Sequence, residues 1–285
     1  MTRYLLMLFA ITLTTHVFAQ SDASTAGWKA QPVKIDGKLT EWNLPLRFYD
    51  ADSRLFFDIA NDSNNIYLCF ESRDEMTQTK LMRAGMKLTL STKGKDKHEA
   101  SIFYPVTPKP SIQNAAPVTD DKANKPAAQS EPVPYNKQTF RANFIKTHFV
   151  MDVDGFTTAK GEIPLQNPSG ITAALNWDTA SNLDYEIAIP QKEFFGAGYT
   201  AGSVSPSDIT LSVELRALPG NAFSDDKPAR NHGNGGSDMR RGQFTGGGYN
   251  TGNEGTPKQW GEYEKVMLNT KSSFKQKFVL NKGSM

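Results

Sequence analysis

The sequence predicts an all-β protein: an immunoglobulin-like two-sheet β-sandwich with short helical turns and two long loops. Three observations predict it. Many runs of six to eight residues alternate apolar and polar side chains, Met86-Lys-Leu-Thr-Leu-Ser-Thr92 and Ile209-Thr-Leu-Ser-Val-Glu-Leu-Arg216 most cleanly. Turn signals separate those runs, including Asp36-Gly37, Asn61-Asp-Ser-Asn64 and Asp154-Gly155. Sustained helical periodicity is confined to one short stretch, and the length suits one large core.

Residues 1–19 read as a secretory signal, with Arg3, an apolar run from Tyr4 to Thr14 and small residues at Val17-Phe-Ala19. The run is too short for a membrane span, and no later segment approaches one. The expected location is therefore secreted or periplasmic, after cleavage near Ala19. A flexible lead-in over 20–32 follows, with Trp28 as exposed linker. One domain over 33–270 and a polar tail over 271–285 complete the expected organisation. Cys69 is the only cysteine, so neither an internal disulfide nor a cysteine-based zinc site is available. It sits in an apolar strand-like run and reads as a buried, inert thiol. The net charge of +2 has no basic stripe, which argues against a nucleic-acid partner.

In order along the chain, Val33-Lys-Ile-Asp-Gly-Lys-Leu-Thr-Glu-Trp42 is expected to be an opening strand with a tight turn. Arg54-Leu-Phe-Phe-Asp-Ile-Ala60 and Asn65-Ile-Tyr-Leu-Cys-Phe-Glu71 form a hairpin, with Ile66, Leu68 and Phe70 on the face opposite Tyr67, Cys69 and Glu71. Glu75 to Met86 is a short helix that Gly85 ends. Ala100-Ser-Ile-Phe-Tyr-Pro105 pairs with the Met86 strand. Residues 106–138 are rich in Pro, Ala, Asn and Lys and read as a disordered insertion. Strands follow at 148–153, 170–177, 183–190 and 209–216, with a helical turn at 191–195. A long Gly-rich loop over 219–259 precedes Trp260, and Glu264-Lys-Val-Met-Leu268 is the expected closing strand.

In this order the segments resemble the family 9 carbohydrate-binding modules and the related DOMON-like sandwiches. The elements that carry the likeness are Ile35–Trp42, Asn65–Glu71 with Asp74, Met86–Thr92, Leu183–Pro190, Ile209–Arg216 and Trp260…Leu268. The resemblance implies a non-catalytic sandwich holding a glycan between two tryptophans, with structural calcium. The late tryptophan of that pattern matches Trp260. Where the early one belongs, the chain has Lys80-Leu-Met-Arg-Ala.

Trp260 is accordingly the first candidate ligand residue, since an indole stacks on the apolar face of a pyranose. Arg83, Glu214, Arg216 and Tyr104 are its candidate polar partners, with Arg240 and Arg241 as weaker ones. Trp42 and Trp177 read as core. Asp36, Asp50 and Asp52 are candidate calcium ligands, although no full calcium-binding loop is present. The acid pairs Asp50/Asp52, Asp152/Asp154 and Asp225/Asp226 fall in turns or loops, where carboxylates cap backbone, so no catalytic pair is assigned. No nucleophile or phosphate-loop motif occurs, and His98, His148 and His232 lack metal spacing. The expected function is carbohydrate binding without catalysis and without a required cofactor. The alternatives are a structural or assembly module of the cell envelope, with a protein partner, and a haem-binding electron-transfer domain using Met82 or Met86 with His148.

Overall fold

A computed structural model describes residues 23–93, 97–106, 136–196, 198–199, 208–219 and 261–283. The signal-like segment and most of the two long loops lie outside them. The described chain forms two sheets packed face to face, an all-β sandwich as the alternation predicts. No helix among the described residues is long and apolar enough to cross a membrane.

The first sheet is built from β1 (Ser24–Thr25), β6 (Met86–Ser91), β7 (Glu99–Tyr104), β8 (Val150–Asp154), β9 (Gly161–Pro164), β12 (Ile209–Leu215) and β13 (Ser272–Val279), in the order β1-β13-β12-β6-β7-β8-β9. The second holds β2 (Gly27–Trp28), β4 (Leu55–Asn61), β5 (Asn65–Ser72), β10 (Thr172–Trp177) and β11 (Leu183–Pro190), in the order β10-β11-β5-β4-β2, with β3 (Phe48–Asp50) also paired to β4. Among the described residues four α-helices accompany the sheets: α1 (Glu75–Ala84), α2 (Lys137–Thr147), α3 (Gln191–Phe195) and α4 (Glu262–Asn269).

Period-two alternation explains the sandwich directly. Leu88, Leu90, Ile102, Val153, Leu211 and Val213 point inward from the first sheet. Leu55, Phe57, Ile66, Leu68, Phe70, Tyr185 and Ile187 meet them from the second. The first sheet turns Lys87, Thr89, Ser212 and Glu214 outward, giving the half-wet pattern of an antiparallel sheet.

The second sheet differs, because its outer face is covered as well. Val33, Leu39, Trp42 and Leu46 lie across it and bury Ala60, Tyr67, Cys69 and Ala188. Each large side chain so buried contributes roughly 1.5–3 kcal/mol of transfer free energy, enough together to fix the covering segment. This overturns the expectation of an opening strand at 33–42. The Asp36-Gly37 turn is present, but the segment runs as extended cover and a single 3-10 turn, Leu39–Glu41. Trp42 is core, as expected.

Other differences fall at the two ends of the chain. The lead-in is ordered from Ser24 to Trp28: β1 pairs with β13 and β2 with β4. Glu264–Leu268 is helical within α4, not a closing strand. Gly261 N–H donates to the Glu264 carboxylate at 2.8 Å, stabilising the first turn. The closing strand is instead β13, within residues read as a polar tail. It pairs with β12 from Ser272 to Phe278 and buries Phe278. Helix α1 starts at Asp74, whose carboxylate accepts from Thr77 N–H, and ends at Gly85, whose φ of 75° suits glycine.

Candidate functional site

The covering segment does not seal the second sheet completely. Where the 3-10 turn lifts away, a cavity of about 380 Å3 opens between Leu39, Leu44 and the ends of β5, β10 and β11. Its floor follows from strand register. Glu71 on β5, Asp184 on β11 and Asn176 on β10 sit side by side in one cross-strand row. Trp177 and Asp178 follow at the end of β10, and Gly37 and Lys38 contribute the lip. A Cβ on Gly37 would lie 2.7 Å from the Cβ of Asn176, so only glycine lets the turn approach this closely.

The four outward carboxylates here are held very differently. Glu186, in the next row, is fully buried and accepts from Trp42 Nε1 at 2.8 Å, Gly37 N at 2.8 Å and Asp36 N at 3.1 Å. Burial still pushes its pKa up, against the pull of those three donors. Glu71 is gripped by Arg73 at both oxygens, 2.7 and 3.0 Å, with the guanidinium 4.4 Å over Phe56. Asp178 accepts from Asn182 N and Nδ2 at 2.7 and 2.9 Å.

Asp184 has none of this help. It is only 6% exposed, and among the described residues its carboxyl has no hydrogen-bond partner. What exposure it has is to the cavity. Burial first, then the charges of Asp178, Glu71 and Glu186, push its pKa up to about 7. An isolated, largely buried carboxylate is costly, and this one is left open toward the cavity; the fully buried polar atoms without a partner among the described residues are His98 Nε2 and Tyr185 Oη.

Trp177 borders the cavity at the end of β10, but successive strand residues face opposite ways, and its ring turns to the inner side, where it packs against the main core as expected from sequence. Its indole N–H is taken by Gln78 Oε1 at 3.3 Å, Arg141 lies 5.1 Å over its ring, and Phe144 meets it edge-on at 6.0 Å. Asn176 Oδ1 accepts from the Trp177 backbone N–H at 2.8 Å, and the amide NH2 has no described partner. The cavity thus joins leucine surface from Leu39 and Leu44 to the Asp184 carboxyl and the Asn176 NH2.

The residues expected from sequence lie elsewhere. Trp260, Arg240 and Arg241 are outside the described residues. Phe103, Lys87, Glu214 and Ser273 form a cross-strand row on the outer face of the first sheet. Glu214 lines a shallow groove there and sits 3.6 Å from Lys271. Arg216 is exposed, with its guanidinium 3.8 Å over Phe103 and its N–H donating to Gly85 O. Arg83 is half-buried in the last turn of α1. Tyr104 is a correction: it is 1% exposed in the core and donates to His148 O at 2.9 Å, beyond reach of a ligand.

Asp36, Asp50 and Asp52 do not converge as a calcium site either. Asp36 bonds Lys34 and the Lys38 N–H, Asp50 caps Ser53, and Asp52 is exposed. Among the described residues no three metal-ligating side chains come together. The haem reading fails at its ligands: Met86 is fully buried, and His148 stacks on Phe144 at 3.8 Å with Nδ1 beside Phe144 O.

These observations define an all-β sandwich with one covered face and a small pocket at the edge of the cover. Neither protein families nor curated protein sequences give a match to this chain. Among solved structures, a carbohydrate-binding module family 9 (CBM9) from Caldicellulosiruptor kristjanssonii in complex with glucose is similar at 11% identity. The alignment covers 70% of this chain and 80% of that one, with a TM-score of 0.28, too small an overlap to bear on function.

Proposed function

We propose that the protein is a non-catalytic carbohydrate-binding sandwich whose ligand enters the cavity beside Trp177, and that it acts outside the cytoplasm. The observation that carries this reading is the composition of the cavity. Apolar surface from Leu39 and Leu44 suits the apolar face of a sugar, while Asn176 and Asp184 suit its hydroxyls. Binding without hydrolysis is favoured because the carboxylates that could partner Asp184 are engaged, Glu71 by Arg73 and Asp178 by Asn182. Arg83, Glu214 and Arg216, with Trp260 outside the described residues, belong to the proposal as further candidate ligand residues.

Affinity electrophoresis of the mature protein through immobilised polysaccharides tests the reading. Retardation by at least one glycan, lost in Leu44→Ala at the exposed rim of the cavity, supports it. Retardation lost only in Trp260→Ala moves the site away from this cavity. No retardation by any glycan, with a stoichiometric protein partner copurifying from either variant, replaces it with an assembly role in the cell envelope.

A further inference from the structure

We propose that this pocket selects a sugar bearing a protonated amine, with the ammonium seated against Asp184; the inference rests on the carbohydrate-binding reading of the same cavity. Geometry carries it. A neutral glycan would leave Asp184 as it is in the free pocket, disfavoured as a carboxylate by the neighbouring Glu71, Asp178 and Glu186. An ammonium brings both donors and the missing positive charge.

The cations of the surroundings do not already do this. Arg73 is committed to Glu71, and Arg141 lies over Trp177. Lys38 stands exposed at the lip and makes no ion pair among the described residues. Glu71, Asp178 and Glu186 keep their own donors, so Asp184 is the one carboxyl free to accept a ligand proton. The carboxyls are spread along the row and do not converge on a point, which fits an ammonium attached to a ring better than a metal ion. The ring itself has Leu39 and Leu44 as wall.

Proton linkage gives the proposal a signature. Asp184, titrating at about 7, is largely protonated in the free protein under mildly acidic conditions. Seating an ammonium beside it favours the carboxylate, so binding releases a proton there. A neutral sugar drives no such release.

The experiment is calorimetric titration of the mature chain with matched oligomers of glucosamine, N-acetylglucosamine and glucose, at about pH 6 in buffers of differing ionisation enthalpy. The expected preference for glucosamine oligomers is roughly tenfold to hundredfold, as for a hydrogen bond to a charged partner. Proton release should accompany it, and Asp184→Asn should abolish both preference and release. Circular dichroism confirms that the variant is folded, and Asp184→Glu, which keeps the charge, should restore part of the preference. Equal or tighter binding of the neutral oligomers overturns this inference and leaves the carbohydrate reading standing. Failure of all three oligomers to bind overturns this inference, and the carbohydrate reading is then decided by the wider glycan screen.

Discussion

Replacing Asp184 by asparagine removes one buried charge with almost no change of shape. In the folded chain this carboxyl titrates at about 7, against an ordinary value of 3.8. The folded state therefore holds the proton more tightly than the unfolded state. Below the lower value the group is protonated in both states and costs nothing. As pH rises toward the upper value the unfolded chain ionises first, and stability falls by about 1.4 kcal/mol for each pH unit. Above the upper value the penalty is complete. Taken over the whole interval it would reach about 4 kcal/mol; because the cavity admits water, about 2 kcal/mol is the expected size. Urea denaturation of parent and variant, followed by tryptophan fluorescence, measures this difference. Titrating groups that do not feel Asp184 occur in both proteins and cancel, while Glu186, which does, adds to the gain at high pH. Asp184→Asn should be more stable by about 2 kcal/mol near pH 8 and equal within about 0.5 kcal/mol near pH 4. A gap that does not change with pH, or a variant weaker than its parent near pH 8, would refute the account of an unpaired charge.

Three further outcomes are expected. Trp42→Phe keeps the apolar cover but removes the Nε1 donor to Glu186, so it should cost about 2 kcal/mol by urea denaturation, and more at high pH where Glu186 is charged. Unchanged stability would mean that the two turn amides suffice. Gly37→Ala combines a positive φ with a clash against β10, so a loss of roughly 2 kcal/mol and a melting point several degrees lower are expected. An unaltered melting curve would contradict the close docking of the turn. Cys69 is fully buried and burial pushes its thiol well up, so a thiol reagent should label it only as fast as the chain unfolds. Prompt labelling of the native protein would place that face in solvent.

The sandwich was legible where the alternation was regular. β6 and β12 put leucines and valine on one face and Lys, Thr, Ser and Glu on the other, so their period and burial agree. The hairpin β4–β5 was legible from its turn, and so was the division of β5 into two faces. What defeated the reading at each end was tertiary. β13 carries Ser273, Lys275 and Lys277 outward and fully buries only Phe278, so a strand one place in from the border of its sheet looks like a polar tail. Val33 to Leu46 resembles a strand because it alternates, yet it serves as cover without joining the ladder. The Trp177 pocket was harder still. In Leu183-Asp-Tyr-Glu-Ile-Ala-Ile-Pro190, Asp184 and Glu186 look like the wet half of an alternation. Only the register with Glu71 and Asn176, and a covering segment about 150 residues away in sequence, turn them into buried acids, and neither is encoded locally.

The pairing of β1 with β13 sets an order of events during synthesis. Ser24 lies beside Phe278 and Thr25 beside Val279, so the earliest strand of the first sheet has no partner there until almost the last described residue has been made. β12 likewise lacks one of its two neighbours until then. The second sheet shares the delay, since β5 waits for β11 to complete its row. A chain wired this way emerges from the ribosome with Leu55–Ser72 made and unmatched on one side, and its closing step joins segments some 250 residues apart. Its apolar strands wait for their last partners until β13 has been made, and until then their unpaired edges are open to other chains.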